Sequence, residues 1–97
     1  MKDFDYQQLD ELIHSRIRLA IISVLVTVDE AEFTYLRDKV NTTDGNLSVH
    51  LKKLEDAKYI SVKKSFIERK PASHYKLTTT GRKAFEKYLN NLEQLVK

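Results

Sequence analysis

The stretch TTDGNLSVHLKKLEDAKYI, Thr42–Ile60, decides the fold because it has the pattern of a helix with two unlike faces. Leu47, Leu51 and Leu54 recur at helical spacing and would lie on one side. The other side carries small groups, hydrogen-bonding groups and cations: Gly45, Asn46, Ser48, Val49, Lys52 and Lys53. Such a face either contacts nothing in particular or lies against a large, flat, negatively charged partner. The pattern predicts a helix over about residues 44–57.

The residues before this helix predict a second, shorter helix and a tight connection. Thr34 is the predicted N-cap of a helix over residues 35–40, and Asn41 ends it because Asn tolerates the left-handed conformation. Thr43 is the predicted N-cap of the next helix, since its hydroxyl can accept a hydrogen bond from an unpaired backbone N–H. The connection has the length of the turn in a helix-turn-helix motif.

The N-terminal third of the chain predicts two helices and a very short strand. A short helix is expected over about residues 6–13, a longer one over about 15–28, and the strand over 31–33. The longer helix is apolar on most sides, which is typical of a helix that is buried or meets another chain. Its predicted core stripe comprises Ile17, Ala20, Ile21, Val24, Leu25 and Val28.

After Tyr59 the pattern changes to alternating polar and apolar residues, which predicts a β-hairpin over residues 60–77. Its turn is placed at residues 69–73, which carry two cations and the only Pro. Thr78 is the predicted N-cap of a last helix, about residues 79–95, with a long apolar stripe. The expected fold is one domain, 1–97, mostly α with a small β-hairpin, in the order α-α-β-α-α-β-β-α.

Composition excludes several classes of function. The chain has 97 residues and no Cys, so disulfides, thiolate metal sites and Cys nucleophiles are excluded. His14, His50 and His74 show no metal-ligand spacing, and neither a phosphate-binding Gly loop nor paired catalytic carboxylates occur. We therefore expect no metal, no cofactor and no enzymatic activity. The N-terminus lacks a signal-peptide pattern, and the apolar run 19–28 is too short to span a bilayer, so a cytoplasmic location is expected.

Positive charge is concentrated in the second half of the chain. Residues 1–43 hold five Lys/Arg and eight Asp/Glu, whereas residues 44–77 hold eight Lys/Arg and four Asp/Glu. The excess of cations thus begins at the helix with two unlike faces. A localised basic surface is expected of a nucleic-acid-binding protein, although a charge cluster can also be a merely solvated face.

Three segments resemble one family of regulators. LSVHLKKLEDAKYI, Leu47–Ile60, is similar to the recognition-helix signature of ArsR- and MarR-type transcription regulators. SRIRLAIISVL, Ser15–Leu25, resembles their first long helix, and YKLTTTGRKAF, Tyr75–Phe85, resembles the passage from the wing into the last helix. The resemblance implies a winged helix-turn-helix fold, of the small single-domain type similar to MarR proteins.

Two departures from the family pattern limit what the resemblance implies. Lys58 stands where the family usually has Gly, so the chain there must either adopt a left-handed conformation at some cost or end the helix differently. The Cys clusters of the ArsR-type metal sensors are absent, so metal sensing is not implied.

The resemblance implies a sequence-specific regulator that binds double-stranded DNA, with the helix 44–57 in the major groove and the hairpin at the minor groove or phosphates. A repressor is expected. The residues expected to contact DNA are Thr34, Thr43, Gly45, Asn46, Ser48, Val49, Lys52, Lys53, Arg69, Lys70, Ser73 and His74. The alternatives are a winged-helix module for protein–protein assembly and a non-specific nucleic-acid-binding or chromosomal protein.

A homodimer is also expected, because a small domain makes few DNA contacts and operators are commonly read as two half-sites. The predicted interface comprises Leu9, Ile13, Phe85, Tyr88, Leu92 and Leu95. The alternative is that this apolar stripe folds back onto the core of its own chain. No small-molecule effector is assigned by the sequence, and any effector is expected at the dimer interface.

Overall fold

The structure, a computed structural model, describes residues 6–96. A single 3-10 turn at Tyr6–Gln8 precedes four helices and three strands. In chain order these are α1 (Arg16–Val26), β1 (Ala31–Glu32), α2 (Phe33–Val40), α3 (Asp44–Asp56), β2 (Ile60–Ile67), β3 (Lys70–Leu77) and α4 (Thr79–Val96). The strands form one antiparallel sheet in the order β1-β3-β2. This order and these elements confirm the predicted winged helix-turn-helix fold.

The turn between α2 and α3 forms as its residue types predict. Asn41 adopts the left-handed conformation (φ 60°, ψ 60°), and its N–H donates to the carbonyl oxygen of Arg37 at 2.9 Å. Thr43 is extended, and its hydroxyl oxygen accepts a hydrogen bond from the N–H of Asn46 at 3.2 Å. The C-cap of α2 and the N-cap of α3 therefore fix the direction in which α3 leaves the turn.

The predicted N-cap of α2 is wrong. Thr34 lies inside the first turn of the helix, whose N-cap is Glu32 without a side-chain hydrogen bond. Because β1 leads directly into α2, pairing of Glu32 with His74 holds the residue before the helix in an extended conformation. The strand thus supplies the geometry that a capping side chain would otherwise impose.

Residues from every helix and strand of the described chain form the core. Leu47, Leu51 and Leu54 are buried, as their spacing predicts, and they contribute the inner side of α3. The other buried apolar residues are Leu9, Ile13, Ile21, Ile22, Leu25, Ala31, Leu36, Ile60, Leu77 and Tyr88. Ile22 is fully buried although it lies outside the predicted stripe of α1, because that helix is covered on more than one side.

The predicted helix over residues 6–13 is wrong beyond its first turn. The carboxylate of Asp10 accepts hydrogen bonds from the N–H groups of Leu12 (2.8 Å) and Ile13 (3.2 Å), which is a local alternative to helical pairing. Its second oxygen accepts from the hydroxyl of Tyr59 at 2.5 Å. Burial, together with this bond, raises the pKa of Tyr59 to about 12. Asp10 thereby ties the N-terminal segment to the residue before β2.

The hairpin turn is shorter than predicted. Ile67 pairs with Lys70, so the turn consists of Glu68 and Arg69, which both have positive φ (52° and 67°). Such a pair is typical of the two-residue turns that match the twist of a hairpin. Pro71 lies within β3, where it is tolerated because β1 covers only His74 and Tyr75 on the other edge of this strand.

The junction between α3, β2 and α4 depends on close backbone approach. Lys58 has a φ of 68°, the left-handed alternative expected for a residue at the usual Gly position. Thr78 caps α4 as predicted, since its hydroxyl oxygen accepts from the N–H of Gly81 at 2.9 Å. A Cβ at Gly81 would lie 2.1 Å from the carbonyl oxygen of Tyr59, so only glycine fits there.

The described part of the chain is elongated. The radius of gyration is 14.8 Å and the principal extents are 59 × 25 × 22 Å. A compact chain of this length has a radius of gyration of about 12.5 Å. Within residues 6–96, no helix combines the length and apolar character that crossing a bilayer requires.

Candidate nucleic-acid interface

The outward side of α3 is slim, polar and open to solvent. We call this surface, formed by Gly45, Asn46, Ser48, Val49, Lys52 and Lys53, the exposed face of α3; all six residues are exposed. The buried leucines hold the opposite side of the helix against the core, so the exposed face is rigidly presented. A single helix with a slim outer side has the shape that the major groove admits.

Gly45 is not required by the packing of the protomer. A Cβ at this position would meet no atom within 4 Å. Gly within a helix costs roughly 0.5–1 kcal/mol relative to Ala, so the fold would gain from a larger residue. The missing side chain leaves the start of α3 open to close approach from outside the protomer.

Ion pairs around α3 set the charge that it presents. Asp44 in the first turn accepts from the guanidinium of Arg37 at 3.0 Å, so its negative charge is offset by a residue of α2. Lys52 lies 3.1 Å from Asp56 one turn along the helix, and this hydrogen bond raises the pKa of Lys52. Both pairs are exposed, and such pairs contribute little to stability, so Lys52 can exchange Asp56 for a phosphate at small cost.

His50 fixes α3 against α1. Its Nδ1 lies 2.8 Å from Nη1 of Arg18, and Nε of Arg18 donates to the carbonyl oxygen of Leu12 at 2.5 Å. Because a guanidinium only donates, Nδ1 accepts and the imidazole is neutral in this contact. Burial, followed by the positive charges of Arg18 and Lys53, lowers the pKa of His50. Among the described residues, no group of three or more His, Asp or Glu side chains could hold a metal ion.

A groove of about 650 Å³ separates the start of α1 from α3. It is lined by polar groups at the start of α1, by the turn after α2, and by Asn46 and His50 of α3. Arg16 lines this groove and is exposed, so it adds a positive charge there. Arg16 is outside the predicted set of DNA-contacting residues. The sequence feature that marks it is its position directly after Ser15, the N-cap of α1.

The start of α2 and the hairpin lie side by side. A second groove, of about 340 Å³, is lined by Glu32, Phe33, Thr34, Pro71, Ala72 and Ser73. The structure therefore brings together Thr34 and Ser73, which the sequence predicted separately. The first N–H groups of α2 are also unpaired within the helix and favour an anion.

The remaining predicted DNA-contacting residues lie on the hairpin, and they differ in exposure and in the face of the sheet that they occupy. Arg69 and Lys70 are exposed at its tip, as expected. His74 is half-buried and its Nδ1 lies 3.4 Å from Oε1 of Glu30, so it is engaged within the protomer. Successive side chains of a strand point to opposite faces. His74 and Ser73 therefore cannot serve the same surface of the sheet.

The predicted dimer interface divides into covered and uncovered residues. Leu9, Ile13 and Tyr88 are buried within the protomer, and the hydroxyl of Tyr88 is 2.8 Å from Nδ1 of His14. These three side chains are therefore not available to a partner. Phe85 and Leu92 are half-buried, and Leu95 is 49% exposed. Leu89 and Val96, which lie outside the predicted set, are also exposed on α4.

The model of one protein family matches residues 17–96, and that family is described as the winged helix DNA-binding domain. The chain belongs to this family. The match runs from the second residue of α1 to the end of α4, so it includes both the exposed face of α3 and the hairpin, which is the wing of the fold.

A relative and two solved structures show how far the likeness extends. The uncharacterized protein MJ0432 of Methanocaldococcus jannaschii is 40% identical over 87 residues, which are 90% of this chain and 95% of the relative. The structure of a transcriptional regulator homologue from Pyrococcus horikoshii has a TM-score of 0.83 at 23% identity, over 90% of this chain and 86% of that chain. A MarR family regulator from Silicibacter pomeroyi has a TM-score of 0.68 at 17% identity, over 86% of this chain and 55% of that chain. An ArsR family regulator also shares the fold.

Proposed function

We propose that this winged-helix protein is a sequence-specific regulator of transcription that binds double-stranded DNA as a homodimer and represses by occluding its site. The observation that carries the proposal is the exposed face of α3. It pairs a slim, polar outer side with a fully buried leucine side, and its glycine serves no packing purpose in the protomer. A cytoplasmic location, where a bacterial or archaeal chromosome lies, belongs to the same proposal.

Base reading is assigned to the middle of the exposed face. Asn46 and Ser48 offer donors and acceptors to base edges, and Val49 offers an apolar contact for a thymine methyl. Gly45 allows the backbone at the start of α3 to approach the DNA closely. This division follows from the chemistry of the groove edges, which present donors, acceptors and methyl groups.

Phosphate contacts are assigned to the residues around this centre. Lys52, Lys53, Arg69 and Lys70 are exposed cations, and Thr34, Thr43 and Ser73 have hydroxyl groups near helix starts or the groove between α2 and β3. The hydroxyl oxygen of Thr43 accepts from Asn46, which leaves its hydrogen to donate to a phosphate oxygen. Such contacts position a protein on the duplex without reading its sequence.

The homodimer is assigned to α4. Leu89, Leu95 and Val96 leave exposed apolar surface on a helix whose other side, including Tyr88, packs against the core. Continuous apolar surface of this kind, bordered by polar residues, marks interfaces. A two-fold dimer through α4 would present two copies of α3 to two half-sites of the DNA.

Selection from a pool of random duplex DNA at physiological salt tests the proposal. We expect enrichment of a near-palindromic site with half-sites about ten base pairs apart. Asn46→Ala should relax the preference at one position of each half-site, whereas Lys53→Ala should weaken binding to all sequences and reduce the salt slope by about 1. Retention without enrichment would favour a non-specific chromosomal protein, and no retention would favour a protein-assembly module.

A further inference from the structure

Among the aromatic residues whose side chains the structure describes, Phe66 is the most exposed. It lies one residue before the closing pair of the wing, and the residue is 77% exposed. The β-propensity of Phe explains its occurrence in a strand but does not show where the hairpin leaves the body of the protein. An exposed aromatic beside a sheet edge promotes aggregation, so its position requires an explanation.

The register of the hairpin shows which side of the wing carries Phe66. Residues 60, 62, 64 and 66 share one face of β2, and the buried members of this face, Ile60 and its partner Leu77, point at the helices. Phe66 therefore continues the helix-facing side of the sheet outward, past the point where the helices cover it. Ser73, which borders the groove beside the start of α2, lies on the same face.

The neighbours of Phe66 on this face are small or cationic. Pro71 is its direct partner across the hairpin, and Lys64 is the preceding residue on the same face. Arg69 follows in the turn beside Glu68, and Lys70, the partner of Ile67, lies on the opposite face of the hairpin. The tip thus combines an apolar wedge, formed by Phe66 and Pro71, with Lys64 on the same face, Arg69 in the turn and Lys70 on the opposite face. This combination complements a narrow, negatively charged groove rather than the apolar surface of a second protein.

We propose that Phe66 is a wedge that enters the minor groove of bound duplex DNA and partly separates one base step beside each half-site. The inference rests on the proposed function and names a contact of the wing that the DNA-binding assignment does not include. Proteins that insert Phe or Pro in this way bend the duplex, and cations on either side hold the phosphates of the widened groove. Flexible pyrimidine–purine steps are the easiest to open, so the wing would select for them.

Ile67 provides a matched control. It is the next residue of β2, is also apolar, and is 47% exposed. Because adjacent side chains of a strand alternate, it lies on the opposite face and cannot enter the groove together with Phe66. Phe66→Ala and Ile67→Ala therefore both remove exposed apolar surface from the same tip but from opposite faces, and only the first should affect DNA binding.

The test measures binding to the selected site over a range of salt concentrations, with 2-aminopurine placed at the flanking step to report unstacking. Phe66→Ala should weaken binding about tenfold, the order expected from loss of a base–aromatic contact. Its salt slope should stay unchanged, because no phosphate contact is removed, whereas Arg69→Ala should reduce the slope by about 1. The fluorescence rise seen with the wild-type protein should disappear in Phe66→Ala and persist in Ile67→Ala. Phe66→Leu, which keeps an apolar wedge, should retain most of the affinity.

The outcomes separate this inference from the proposed function. If the wild-type protein binds the site and Phe66→Ala shows the same affinity and the same fluorescence rise, the wedge proposal is overturned and the proposed regulator function stands. Equal losses in Phe66→Ala and Ile67→Ala would also overturn it, since the effect would not follow the face of the hairpin. Failure of the wild-type protein to bind any duplex would overturn both proposals. Self-association that Phe66→Ala abolishes, with DNA affinity unchanged, would reassign the patch to protein contact and reject the wedge.

Discussion

The helices α3 and α4 have similar leucine stripes but opposite environments. The stripe of α3 is fully covered, with Leu47 and Leu54 completely inaccessible, whereas Leu89 and Leu95 on α4 remain 44% and 49% exposed. The helix α3 lies between α1 and the start of the sheet, while α4 packs one side, which includes Tyr88, against the core and leaves another side exposed. The same sequence pattern thus indicates an apolar side in both helices, but it does not indicate how far the protomer covers that side.

The largest difference between the two stripes should appear on truncation of a leucine. Leu54→Ala removes a fully buried side chain and should lower the free energy of unfolding by about 2–5 kcal/mol. Leu89→Ala, at an exposed position of α4, should change it by less than about 0.5 kcal/mol when the protein is dilute. Urea denaturation at two protein concentrations measures both effects. Equal losses at low concentration would show that the α4 stripe is covered within the protomer.

The single glycine of each helix should respond in opposite ways to substitution by alanine. Gly81→Ala places a Cβ against the carbonyl oxygen of Tyr59 and should destabilise by about 1–3 kcal/mol. Gly45→Ala meets open space and should stabilise by roughly 0.5 kcal/mol, while it weakens DNA binding. Thermal unfolding and DNA titration of both variants measure this contrast. A Gly45→Ala protein with wild-type affinity would reject close approach at the start of α3.

A charge in the α4 stripe should separate the two protomers of the proposed dimer. Leu95→Asp should raise the dissociation constant of the dimer at least about tenfold, because a carboxylate in an apolar interface loses its hydration. Gln94→Asp is the control, since it adds the same charge at an exposed neighbouring position. Sedimentation at micromolar concentration measures the change. A wild-type monomer, or equal effects of the two variants, would contradict the assignment of the interface to this stripe.

The smallest effect is expected from protonation of His50 on α3. Its pKa is lowered in the folded protein, so the unfolded chain takes up the proton first as the pH falls. The free energy of unfolding should therefore decrease as the pH falls below about 6.5, the ordinary value, and level off below the folded pKa. Urea denaturation from about pH 8 to pH 5 measures the slope. His50→Gln, which keeps an acceptor for Arg18, should reduce this slope; an unchanged slope would assign it to other groups.

The sequence predicted the helix-turn-helix well because its chemistry is local. Asn41 and Thr43 act through their own backbone conformation and through hydrogen bonds to residues of the same turn, so their roles are visible in a short window. The leucines of α3 are likewise placed by helical period alone. The exposed face was predicted with them, because it is the remainder of the same helix.

The errors concern residues whose partners are distant in the sequence. Asp10 interrupts the predicted first helix by accepting from the N–H groups of Leu12 and Ile13, and its second oxygen accepts from the hydroxyl of Tyr59, a partner that no local pattern indicates. Glu68 and Arg69 form the hairpin turn without the Gly or Asn that usually signals it, because strand pairing imposes their positive φ. Tyr88 was assigned to a dimer interface although its own chain covers it. The apolar spacing along a helix shows which residues are buried together but not which surface covers them.

The hydroxyl group of Thr78 has a mechanical consequence. It lies 2.6 Å from the carbonyl oxygen of Lys58 and 3.0 Å from that of Tyr59, and its oxygen also caps α4 through Gly81. One side chain thus connects the residues that follow α3 to the first turn of α4. At this junction, Gly81 has no room even for a methyl group. In the proposed dimer, α3 and α4 of one protomer would therefore move together as a rigid unit. Any ligand or temperature change that tilts α4 would alter the distance between the two copies of α3. The spacing of the half-sites that the dimer can bind would then depend on the rigid junction between α3 and α4.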